Sequence, residues 1–191
     1  VIENNEAEDA GGGIYCGGTD VERIVIDGCV FTWNSGTGAE GGGIYTKNIQ
    51  FLAVTSSVFA MNTAANGAAM TIAGGSADIF NCLFRNNAPG FISCIKMTSG
   101  SCTTTLENCT FEGNKMTALQ QVSGDIIAEN CIFWRNGSNA LGTVTMTNCL
   151  VEGDGGGTGC FSGDPLFVAG HYLAINSPCI DRGGSILASD V

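Results

Sequence analysis

Residues 76–87, SADIFNCLFRNN, decide the fold, because near copies of this stretch recur along almost the whole chain. With Phe84 as anchor, Ile2, Phe31, Phe59, Phe84, Phe111, Phe133 and Val151 form one column, at intervals of 29, 28, 25, 27, 22 and 18 residues. Three residues after each anchor stand Asn5, Asn34, Asn62, Asn87, Asn114, Asn136 and Asp154. Two before it, starting from Phe31, stand Cys29, Ser57, Cys82, Cys109, Cys131 and Cys149. Three before it, Gly28 and Ser56 give way to Asn81, Asn108, Asn130 and Asn148. Five before it are Ile26, Val54, Ile79, Leu106, Ala128 and Met146, and seven before it Ile24, Leu52, Ala77, Thr104, Ile126 and Val144.

A repeat of this length with variable spacing marks a solenoid in which each copy is one coil. Positions minus seven, minus five and minus three alternate as one strand face, the two-residue period of β structure. Positions minus two and zero keep a different phase, so a bend separates two short strands, with asparagine at the bend. No helical period is present. The chain reads as an all-β parallel β-helix of six to seven coils over residues 1–154, each coil holding about three strands and advancing roughly 4.8 Å. Stacking puts Phe31, Phe59, Phe84, Phe111 and Phe133 in the interior. It lets buried asparagines satisfy one another from coil to coil, while buried cysteines serve as small apolar residues.

Composition narrows the function. Eighteen acidic against seven basic residues give a net charge of −11, which disfavours nucleic acid and anionic membranes as partners, and acidic polysaccharides unless a cation intervenes. No apolar run is long enough for membrane insertion. Ten cysteines point to an oxidising compartment. The expected disulfides are Cys94 with Cys102 around a small loop and Cys160 with Cys179, with Cys82–Cys109 and Cys131–Cys149 as weaker stacked pairs. With no CxxC and a single histidine, His171, a metal site is not expected. The acidic loop containing Glu3, Glu6, Glu8 and Asp9 reads as solvated, since it lacks the Asp-x-Asp-Gly spacing of a Ca²⁺ loop; Ca²⁺ is the one cofactor it would suit.

Gly11-Gly12-Gly13-Ile14-Tyr15 returns as Gly41-Gly42-Gly43-Ile44-Tyr45. Neither run is followed by a helix and lysine, so these are sharp bends under close backbone stacking rather than phosphate loops. Threonines 103–105, 143, 145 and 147 do not extend into an array through the other coils, which argues against an ice-binding face. Of the two sequons, Asn108-Cys109-Thr110 falls at the bend, leaving Asn136-Gly137-Ser138 as the site open to glycosylation. Residues 155–191 carry two of the three prolines and lose the columns; they read as a C-terminal cap over an otherwise open end, or a junction to another module. The chain opens within a copy of the repeat, as expected of a segment of a larger exported protein.

The paired GGGIY and Phe-x-x-Asn signals resemble the tetrapeptides of the chlamydial polymorphic outer-membrane proteins. More broadly the chain resembles bacterial secreted right-handed parallel β-helix proteins of the pectate-lyase-like superfamily. Gly163-Asp164-Pro165-Leu166-Phe167 with Ser177-Pro178-Cys179-Ile180-Asp181 is similar to a DPLF…SPAID segment that ends many bacterial surface proteins. The resemblance implies a right-handed helix and bacterial-type export to the cell surface or medium. It does not choose among lyases, hydrolases, adhesins and stalks.

A lyase-like site would need clustered carboxylates holding Ca²⁺ beside a basic residue. Arg85 and Arg135 occupy different columns, and Asp78, Glu107, Glu112 and Glu129 are scattered, although Glu107 and Glu129 fall one coil apart. His171 lies away from the coil columns, which also argues against a Ser-His-Asp arrangement. No catalytic constellation stands out. The expectation is therefore a structural or adhesive β-helix: a stiff spacer or filament subunit whose partners are copies of itself, adjoining modules or surface glycans. The alternative is a carbohydrate-active or carbohydrate-binding β-helix, with Trp33, Trp134, Tyr15 and Tyr45 as stacking residues.

Overall fold

The anchor residues lie at the centres of very short strands, and their register fixes everything else. A computed structural model describes residues 1–87, 92–153 and 155–184; Asp154, at the end of the asparagine column, and residues 185–191 of the terminal segment lie outside them. Ile2–Glu3, Val30–Thr32, Val58–Ala60, Leu83–Arg85, Thr110–Glu112, Ile132–Trp134 and Leu150–Val151 form one seven-stranded sheet in chain order. Every pair in it is parallel, and anchor faces anchor: Ile2 on Phe31, Phe59 on Phe84, Phe84 on Phe111, Phe133 on Val151. The five phenylalanine rings are fully buried and stacked, with centroids 4.8, 5.0, 4.7 and 5.0 Å apart. Those distances match the spacing of neighbouring strands, so the rings stack without bending the ladder.

A ten-stranded parallel sheet forms the broad side. Early coils give it two strands each, such as Ile44–Lys47 and Phe51–Thr55; in Ser93–Glu107 and Thr117–Glu129 the two merge into one long strand. The columns five and seven before the anchor pair residue on residue throughout. A third column, Ile14, Ile44, Met70, Ile95 and Leu119, packs against them from the first half of each coil. Glu6–Ala7, Ser35–Glu40 and Thr63–Asn66 make a small third sheet. The all-β parallel solenoid expected from the columns is the fold of this chain.

Its two asparagine columns do different jobs. Asn34, Asn62, Asn87 and Asn114 are fully buried. Asn87 Nδ2 donates to Phe59 O at 3.0 Å and to Asn114 Oδ1 at 3.2 Å, while its Oδ1 accepts from Asn62 N and Nδ2, both at 3.1 Å. The same pattern runs from Asn5 to Asn136. Asn81, Asn108, Asn130 and Asn148 instead sit at a corner with φ of 54, 53, 52 and 51°. This corrects the strand reading: position minus three does not continue the face of minus seven and minus five, because a left-handed residue ends the alternation there.

The glycine runs mark close backbone approach. A Cβ on Gly42 would collide with the carbonyl oxygens of Thr63 and Ala68, and one on Gly43 with that of Ala69.

All ten cysteines are free thiols, which corrects the disulfide expectation. Cys94 and Cys102 belong to the single strand Ser93–Glu107, so the residues between them are not the closing loop that the pairing required. The stacked cysteines are likewise unbridged. Their thiols bond to carbonyls instead, as Cys109 Sγ does to Ile79 O and Glu107 O.

Cys160 prolongs the thiol column: Cys149 N donates to its Sγ at 3.4 Å, and Thr158 and Phe161 bridge Thr147 and Leu150 in parallel. The stack thus gains a rung within the segment expected to lack the columns. Phe167–Val168 then pairs antiparallel with Tyr172–Leu173 about the 3₁₀ turn Ala169–His171. Gly184 N donates to Asn130 Oδ1 at 2.7 Å, and Tyr172 approaches Ser56, Asn81 and Asn108. Beyond that rung, which stacks on the last coil, the segment lies along the outer side of the seven-stranded sheet. Among the described residues no helix is long and apolar enough to cross a membrane.

Candidate functional site

The first candidate is a groove on the broad sheet. The Gly-Gly-Gly bends deliver Ile14 and Ile44 to the core, and strand alternation turns the next residues, Tyr15 and Tyr45, outward. Their rings stack at 5.4 Å with 21° between planes, and Tyr15 is 57% exposed. The groove beside them has a volume of about 670 Å³ and is walled by Glu8, Asp9, Glu40 and Lys47. Burial, the Glu40 carboxylate and then Tyr15 all push the Tyr45 phenol up, so it stays a hydrogen-bond donor. Glu40 is fixed from two coils away by an ion pair with Lys96, both side chains largely covered. The tandem GGGIY motif locates the tyrosine pair in the sequence; nothing in the sequence announces the Lys96–Glu40 contact.

The second candidate lies where the terminal segment meets the rod. Outward positions one after the anchor place Arg85, Glu112 and Trp134 in register on successive strands. His171, at φ 65°, is folded back onto this row with Nε2 3.3 Å from Glu112 Oε2. The histidine is therefore not remote from the coils, as its position in the sequence implied. Arg135 sits at a left-handed corner with its guanidinium 5.8 Å from the centre of the Trp134 ring. Trp33 occupies the corresponding corner far along the rod, 59% exposed, so the two tryptophans share no platform.

The remaining carboxylates stay dispersed. Glu107 and Glu129 are register neighbours, while Asp78 pairs with Thr105. The outward row Asp78, Thr105, Ile127 and Thr145 mixes residue types, which leaves no threonine array. Among the described residues no group of three or more His, Cys, Asp or Glu side chains could hold a metal ion. Asn136 is not the open sequon that the spacing suggested. Asn136 belongs to the ladder, donating to Phe111 O and accepting from Asn114, whereas Asn108 stands at the outer corner.

Parallel strands, in-register columns and a buried asparagine ladder define a β-solenoid. The model of the right-handed β-helix region family matches residues 1–133, and the chain belongs to that family. Comparison with curated proteins and with solved structures gives no match.

Proposed function

We propose that this chain is an adhesive module of an exported protein: a stiff β-helical rod that contacts a surface glycan through the Tyr15–Tyr45 groove. The observation that carries the reading is the stacked tyrosine pair opening onto that groove. The exposed Tyr15 ring, backed by the stacked Tyr45, presents an apolar surface to the C–H face of a sugar, and the carboxylates and Lys47 alongside offer partners to its hydroxyls. The net charge of −11 favours a neutral glycan over an acidic one. The phenylalanine and asparagine ladders supply the stiffness that a spacer needs.

Binding of the intact chain to a panel of neutral and acidic oligosaccharides tests this. Tyr15→Ala combined with Tyr45→Ala should weaken the best neutral ligand about tenfold, the equivalent of about 1.4 kcal/mol of stacking. Unchanged binding in the double variant, or no binding by any sugar, refutes the groove. Concentration-dependent fibres in the absence of sugar binding would support a filament subunit instead.

A further inference from the structure

The seam between the terminal segment and the seven-stranded sheet encloses a cleft of about 450 Å³ that neither side forms alone. Glu112 and Trp134 make its floor, and Asp164, Leu166 and Phe167 come from the segment. His171 joins the two, bonded to Glu112 and packed against the Phe167 ring at 5.7 Å. Arg135 lines the cleft with its guanidinium resting over Trp134, and among the described residues that guanidinium forms no ion pair. Leu166 and His171 hold φ of 53 and 65°. Unlike the φ of Arg135, these are not part of a corner repeated from coil to coil, and such strain in bulky residues gathers where a surface is shaped for contact.

We propose that this cleft is a second binding site, for one neutral hexose-sized unit of a glycan. Its walls carry two aromatic side chains, and donors and acceptors converge on the same space: Arg135 as donor, Asp164 and Glu112 as acceptors. That mixture fits the C–H faces and the hydroxyls of a pyranose. Glu112 and Asp164 oppose an anionic sugar, as does nearby Glu152, whose Oε2 accepts from Arg135 N at 2.7 Å. The site is built on a different sheet from the tyrosine groove and does not depend on it.

The test is isothermal titration of the intact chain with the methyl glycosides of glucose, galactose and mannose. At least one should bind saturably, keep its affinity in the Tyr15→Ala, Tyr45→Ala double variant, and weaken about tenfold or more in Trp134→Ala. Asp164→Asn, on the other wall, should weaken the same glycoside and serves as the test if Trp134→Ala does not fold. No binding by any of the three glycosides, or binding that neither substitution changes, overturns the proposal.

Discussion

Replacing Asn87 by alanine should be among the costliest single changes to this rod. The side chain is fully buried and makes four side-chain hydrogen bonds, to Asn62 N, Asn62 Nδ2, Phe59 O and Asn114 Oδ1. After truncation, Asn62 Nδ2 keeps Phe31 O and Asn114 Oδ1 keeps Asn87 N, so neither is fully orphaned. Asn62 N is left without a partner, whereas Phe59 O also faces Arg85 N in the parallel ladder and loses one of two; an unmet buried group costs about 1–3 kcal/mol. With the weakened remainder, the loss comes to about 3–5 kcal/mol. Asn81, in the other column, is the control: exposed, and needed for its φ of 54°. Asn81→Ala should cost only about 1–2 kcal/mol, and Asn81→Gly almost nothing. Urea unfolding followed by far-ultraviolet circular dichroism reads the difference as midpoint shifts at constant slope. Equal costs for Asn87→Ala and Asn81→Ala would refute the division of labour between the columns.

Three further outcomes are expected. Gly42→Ala should destabilise the rod by about 2 kcal/mol or more, since the new Cβ meets the Thr63 and Ala68 carbonyls; a midpoint unchanged in urea would contradict the close approach. Burial pushes the Cys94 and Cys179 thiols up, so the unfolded chain loses those protons first as pH rises. Their stabilisation is complete below the ordinary thiol value of about 8.5 and declines above it, which unfolding midpoints measured from pH 7 to 10 under reducing conditions should show. Lys96→Met should cost about 1–2 kcal/mol by stranding the largely covered Glu40 carboxylate. Adding Glu40→Gln should recover part of that loss, and a double-mutant cycle with no coupling would show the pair to be incidental.

The columns were legible because each residue type repeats where it meets itself. Phe84 lies on Phe59 and Phe111, so the alignment of the sequence with itself is also the strand register. The Ile79 and Ala77 columns follow for the same reason. Contacts between unlike residues leave no such trace. His171 reaches Glu112 across 59 positions, and Lys96 reaches Glu40 across 56, with no periodic signal at either end. Cys160 was obscured by spacing: it stands only 11 residues after Cys149, too few for an ordinary coil. The asparagine columns looked alike because composition does not separate an amide buried for its hydrogen bonds from one chosen for its backbone.

The asparagine ladder also has a direction. From Asn5 to Asn114 each amide nitrogen gives one hydrogen to the amide oxygen of the following coil, and from Asn34 on it gives the other to a main-chain carbonyl of the preceding coil. The amide-to-amide bonds therefore all point one way along the rod, so a coil laid in the opposite sense would set like groups against like and break the ladder.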